Sequence, residues 1–212
     1  VAAMEDVLEV YQRPYDPVHP VICMDEQPIQ LHAEVREPIP AQPGRPERQD
    51  YEYRRNGVAC GFIFTEPLGQ WRRITIAETR TKKDWAHQVQ HLLEQDYPDA
   101  EKVILVCDNL NTHVPGALYE TFPPEQARNL LSRLEIHYTP KHGSWLNIAE
   151  IELSALTCQC LNRRIPTIEA LRAETAAWNR SRNQAQKGVD WQFTTTDARR
   201  KLKRLYPMIL EN

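Results

Sequence analysis

The sequence predicts an α/β layered domain, a mixed β-sheet flanked by helices, and three observations carry that prediction. Two short apolar runs, residues 20–25 (PVICMD) and 102–108 (KVILVCD), each close on an aspartate. Two β-rich runs, 57–65 and 71–78, are separated by Glu66-Pro67-Leu68-Gly69-Gln70, a gap of hairpin type. Helical spacing then alternates with strand-like runs through the rest of the chain, the pattern of a sheet covered by helices.

The elements follow in order. Residues 1–19 read as an incoming connector, because Pro14, Pro17 and Pro20 break any helix begun at 4–11. Residues 20–25 predict a buried strand. Residues 37–56 are rich in Pro, Arg and Gln and predict a flexible basic loop carrying Arg45, Arg48, Arg54 and Arg55. After the hairpin pair, Trp85, Val89, Leu92 and Leu93 mark a helix over 81–96 with Thr81 as N-cap. The continuous apolar run before Asp108 suits a central strand covered on both faces. Residues 124–134 predict a helix and 136–139 a short strand. Residues 144–161 and 167–182 predict two more helices, parted at Pro166. The α/β domain is thus expected over 20–185, with a basic extension over 186–212 that includes Arg199 and Arg200.

Size and composition narrow the class. A chain of 212 residues suits one large domain that needs no staples. The five cysteines form no CxxC pair, which argues against a zinc finger or a disulfide framework and for a reducing, cytoplasmic compartment. No apolar run is long enough to span a membrane, and no membrane role is expected. The first residues lack the basic-then-apolar order of a signal peptide, and the chain opens on Val1, so a piece of a longer protein is expected. A net charge of −3 gives no help to a nucleic-acid binder, but the distribution of Lys and Arg matters more than the sum.

Three carboxylates occupy telling positions. Asp25 and Asp108 each end a strand, where ligand sites of α/β sheets gather. A carboxylate closing an apolar strand is costly unless it is paired or binds metal. Glu150 lies on a helix whose apolar stripe is Trp145, Ala149, Leu153 and Leu156, and it borders that stripe. Glu152 points roughly 200° away around the helix and cannot share its role. Oxygen donors of this kind suit Mg²⁺ or Mn²⁺. Two ions about 4 Å apart stabilise the attacking and leaving oxygens of an in-line phosphoryl displacement. No Ser, Cys or His forms a hydrolase-type triad. Trp145, Trp85 and Trp178 read as core anchors.

Three segments carry a resemblance: Asp25-Glu26, then DNLNTH over 108–113, then PKHGSWLNIAE over 140–150. They resemble the catalytic motifs of DDE transposases, most closely the bacterial insertion-sequence branch of the mariner superfamily. The likeness runs over nearly the whole chain, and its specific part is the second and third motifs. It implies a ribonuclease H-like fold and metal-dependent cleavage at transposon ends, followed by 3′-hydroxyl strand transfer into target DNA. It also implies Asp25, Asp108 and Glu150 as the catalytic triad holding two divalent ions, with double-stranded DNA as partner and a homodimer as the active form. Asp108 and Glu150 stand further apart than in mariner elements proper. Asn109, His113, Lys141, His142 and Asn147 are candidates for holding the carboxylates or a phosphate. Arg45, Arg48, Arg54, Arg55, Arg199 and Arg200 are candidates for DNA contact. The alternatives are a ribonuclease H-like nuclease without strand transfer, and an inactive DNA-binding or scaffolding relative.

Overall fold

The computed structural model describes residues 1–48 and 50–207. Its centre is a five-stranded mixed sheet in the order β3-β2-β1-β4-β5. Strand β1 (Val21–Glu34) runs antiparallel to β2 (Tyr53–Glu66), which hairpins into β3 (Trp71–Ala77). On its other side β1 pairs in parallel with β4 (Val103–Cys107), and β4 pairs in parallel with β5 (Leu134–Tyr138).

The parallel ladder between β1 and β4 covers only Val21, Ile22 and Cys23, whereas β1 continues beside β2 for another eleven residues. Asp25 therefore lies two residues past the parallel ladder and inside the strand, which was expected to stop there. Pro28 explains the difference. Its missing N–H excludes it from a strand paired on both sides, and β1 has a partner on only one side at that point. The pairing slips by one residue between Gln30 and His32, where β2 carries Gly57 at φ 98°, a backbone open mainly to glycine.

Alternation along β1 divides the core. Ile22 and Met24 face a cluster with Phe62, Phe64, Trp85, Val89 and Leu105. Cys23 faces the opposite layer, among Ile63, Val106, Leu153 and Leu156. The first layer holds α2 (Lys82–His91), α3 (Pro115–Thr121) and α4 (Pro124–Ser132). Thr81 caps α2 as expected, in a reciprocal box with Asp84. Helix α3 was not foreseen: Pro115 pre-sets its first turn, but seven residues give too little periodicity to read. The second layer holds α1 (Ala2–Tyr11), α5 (Ala149–Leu156), α6 (Ile168–Gln184) and α7 (Thr195–Lys201).

Two expectations need correction. Residues 1–19 are not a mere connector, because Met4, Val7, Leu8 and Val10 of α1 are buried in the second core layer. The prolines lie beyond the helix rather than in it. The segment 37–56 is not all loop: Tyr53 to Asn56 belong to β2, and Ile39 bridges Arg48 while Gln42 bridges Arg45. Gln49 and residues 208–212 lie outside the described residues. No helix among the described residues is long and apolar enough to cross a membrane.

Since Leu8 is fully buried, Leu8→Ala should cost about 2–5 kcal/mol of stability in urea denaturation, as truncations at well-packed sites do. A loss below about 1 kcal/mol would return α1 to the status of a connector.

Candidate active site

Asp25 and Glu26 are adjacent on β1 and so face opposite layers. Asp25 lies on the α5 side. Its Oδ1 accepts a hydrogen bond from the Glu26 backbone N–H at 2.7 Å, and its Oδ2 accepts one from Asn147 Nδ2 at 3.2 Å. Asn147 is buried and does more than this. Its Nδ2 also donates to the Met24 carbonyl at 2.9 Å, while its Oδ1 accepts from the Ala149 N–H at 3.2 Å. One amide thus ties β1 to the start of α5. Tyr11 steadies the same turn from α1, its hydroxyl donating to the Leu146 carbonyl at 2.7 Å.

Glu150 stands exposed in the first turn of α5. Glu152, its rival in sequence, is 1% exposed and ion-paired with Arg72 at 3.3 Å and Arg182 at 2.9 Å. It is committed elsewhere. The stripe predicted for α5 holds for Ala149, Leu153 and Leu156. Trp145 departs from it: the indole is 48% exposed, stacked on Trp191 at 6.4 Å and edge-on to Phe193 at 5.8 Å. The reason is that a 3-10 turn over Ser144–Leu146 precedes the helix and breaks its periodicity.

Asp108 follows β4 directly, its side chain partly exposed. His113 is completely buried beside it, stacked on Trp85 with ring centroids 5.8 Å apart. Its Nδ1 lies 2.7 Å from Asp108 Oδ1 and 3.3 Å from the Asp108 carbonyl oxygen, and its Nε2 lies 2.9 Å from Glu26 Oε1. Burial alone would lower the imidazole pKa, but hydrogen bonds with Asp108, Cys107 and Glu26 override it and hold the ring protonated. Tyr138 fixes the backbone there by donating to the His113 carbonyl at 2.7 Å.

These contacts sort the sequence candidates. Asn147 touches Asp25 and His113 touches Asp108. Asn109, Lys141 and His142 are exposed, the last two in the turn that leads to α5. Arg45, Arg48, Arg54 and Arg55 are exposed far along the β1–β2 arm. Arg199 pairs with Glu5 at 2.8 Å and Arg200 with Asp197 at 2.8 Å, so both are engaged with carboxylates of their own chain. The sequence reading assigned no role to Glu26 or Tyr11. The available signal for Glu26 was its place beside Asp25, because strand alternation sends it to the other layer.

Burial pushes the Asp25 carboxyl up to about 7, and the charges of Glu150 and Asp108 push the same way against the Glu26 N–H. This is the electrostatic state of acids gathered where a cation would relieve them. Glu26 Oε2 is buried without a hydrogen-bond partner, and the carboxylate oxygens of Asp25, Asp108 and Glu150 are donors of the kind hard divalent ions take. Among the described residues no three His, Cys, Asp or Glu side chains already converge tightly enough to chelate an ion.

A parallel β1–β4 pair that presents aspartates at its end, beside a helix bearing a glutamate, defines a ribonuclease H-like catalytic core. Residues 20–172 match the family model of the DDE superfamily endonuclease, and the chain belongs to that family. No curated protein matches its sequence. Among solved structures, it is similar to the Mos1 transposase paired-end complex with left transposon end, at 18% identity and TM-score 0.57 over 87% of this chain and 56% of that one. The Mos1 mariner transposase catalytic domain aligns at 16% identity and TM-score 0.56, over 87% of this chain and 83% of that one. The mariner Mos1 paired-end complex with Mg aligns at 17% identity and TM-score 0.54, over 90% and 62%. The chain therefore spans little more than half the length of the full transposase that it resembles.

The raised Asp25 carboxyl has a consequence for stability. It binds its proton more tightly folded than unfolded, so the stability it contributes is greatest in acid and falls as pH rises toward 7. Asp25→Asn should raise the melting temperature of the metal-free chain at pH 8 by about a few degrees and leave it unchanged near pH 4, by calorimetry in EDTA. A variant that melts no higher than the parent at pH 8 would count against a carboxyl raised by burial at this position.

Proposed function

We propose that this chain is the catalytic domain of a cut-and-paste DNA transposase, in which Asp25, Asp108 and Glu150 hold two divalent ions, Mg²⁺ or Mn²⁺. Membership of the DDE endonuclease family supports this. The observation that carries it is the placement of Asp25, tied through Asn147 to the start of the helix that bears Glu150, with Asp108 closing the neighbouring parallel strand. When bound, the ions would neutralise phosphate charge and activate first water, then a DNA 3′-hydroxyl, for in-line displacement.

The rest is the work of the chain itself. Asn147 fixes the Asp25 carboxylate through Oδ2 and anchors α5 through the Ala149 N–H, so the two ligand-bearing elements keep a common frame. His113 orients Asp108 and is itself oriented by Glu26. Glu150 closes the set from a helix by side-chain rotation. Lys141 and His142 sit exposed just before it and meet backbone phosphate. Exposed Arg45, Arg48, Arg54 and Arg55 grip duplex DNA along the arm, and the working assembly is a homodimer on paired transposon ends.

Metal-dependent nicking of a supercoiled plasmid tests the enzyme, and joining of a pre-cut 3′-hydroxyl end tests strand transfer. Asp108→Ala and Glu150→Gln should each lower nicking by roughly 10²-fold or more, with folding intact by circular dichroism. Cutting without joining would assign the chain to the ribonuclease H-like nucleases. Undiminished cutting by Asp108→Ala would end the metal-site assignment.

A further inference from the structure

We propose that the buried Arg72–Glu152–Arg182 cluster is a rotational lock on α5 that aims Glu150 at Asp25 and Asp108, making Glu152 a positioning residue for metal capture. This rests on the assignment of Glu150 as a ligand. Helix α5 has only eight residues, and both of its acids lie in the first turn. At about 100° per residue, Glu150 and Glu152 point to nearly opposite sides. Whatever fixes the direction of one fixes the other.

Glu152 is fixed thoroughly. Arg182 of α6 grips it with both arms, Nη2 to Oε1 at 2.9 Å and Nε to Oε2 at 3.1 Å. Arg72 of β3 adds its Nε at 3.3 Å from Oε2. Arg72 is itself immobilised. Its Nη1 donates to the Arg182 carbonyl at 2.8 Å, and its Nη2 donates to the Lys187 carbonyl. Its backbone N–H donates to Asn183 Oδ1 at 3.0 Å, and its carbonyl accepts from Asn183 Nδ2 at 2.8 Å. Glu152 and Arg72 are each 1% exposed and Arg182 is 16% exposed. The sheet, α6 and α5 thus meet at one carboxylate.

Stability alone does not account for three buried charges at this point. Well-packed apolar side chains of similar volume hold a core at least as well, and buried ions are best attested as devices that fix geometry. The apolar contacts of α5 are made by Ala149, Leu153 and Leu156, a single buried ridge whose attraction to the core is non-directional. A roll of roughly 20° would move a side-chain tip about 2 Å, given a helix radius of about 5–6 Å with side chains. Metal–ligand distances tolerate about 0.2 Å. A two-armed arginine fork is directional where the ridge is not, and Asn147 restrains only the front of the helix.

The test replaces the cluster with apolar residues, Arg72→Met, Glu152→Leu and Arg182→Met together, in the full chain. Folding is followed by circular dichroism, Mn²⁺ binding without DNA by electron paramagnetic resonance, and plasmid nicking by kinetics. A folded variant should bind Mn²⁺ roughly tenfold or more weakly and lose a similar factor in kcat, with KM for DNA unchanged. Arg182→Lys keeps the charge but removes the fork, and should fall between parent and triple variant. It is also the decisive protein should the triple variant fail to fold. Mn²⁺ affinity and kcat within about twofold of the parent, in whichever of these folds, would overturn the lock. If the parent neither binds Mn²⁺ nor nicks, the proposed function falls and the lock falls with it. An active parent beside an indifferent variant removes the lock alone.

Discussion

Gathering negative charge at the end of a parallel strand pair is unfavourable, and most of what is specific in this molecule is arranged around that cost. Asp25 and Asp108 lie near the place where β1 and β4 part, with Glu150 on the neighbouring helix, and burial first, then the charges of Glu150 and Asp108, push the Asp25 carboxyl up to about 7. The fold offsets the repulsion from one side with a protonated His113, held between Asp108 and Glu26. From the other side it supplies neutral donors to Asp25, the Asn147 amide and the Glu26 N–H. That asymmetry leaves the α5 side short of positive charge, where a cation has most to gain.

The two core layers divide this labour. The layer of α2, α3 and α4 supports Asp108 through His113, which stacks on Trp85. The layer of α1, α5 and α6 supports Asp25 and Glu150 through Asn147, Tyr11 and the Glu152 ion pairs. The sheet lies between them and is common to both. Its antiparallel half, β1 to β3, extends away from the acids into a long arm on which the exposed Arg45, Arg48, Arg54 and Arg55 are interspersed with carboxylates such as Glu37 and Glu52.

Much of this was legible in the sequence, and the failures have physical reasons. The apolar run before Asp108 gave β4, since five consecutive buried residues leave no other reading. Glu150 was separable from Glu152 because helical angles are fixed, and in the structure Glu152 is buried in ion pairs while Glu150 is exposed. The continuation of β1 past Pro28 was not legible, because whether proline is tolerated depends on which side of a strand is paired. The burial of α1 was hidden because three prolines after it suggested an extended connector. The long-range partners, Arg72 with Glu152 or His113 with Glu26, leave no periodic trace, since nothing local links residues so far apart in the chain. Exposure of Trp145 was misread because large aromatic residues are usually interior.

The opposite facing of Asp25 and Glu26 restricts how this chain can vary. Inserting or deleting a single residue between Val21 and Asp25 would exchange the two layers to which these acids report, delivering a glutamate to α5 and an aspartate to the imidazole. No downstream adjustment restores both. The span between β1 and β2 carries no such constraint, because lengthening a surface loop costs little and its ends are already pinned by pairing. Natural length variation among relatives should therefore collect in that arm, while the first five residues of β1 keep an invariant count.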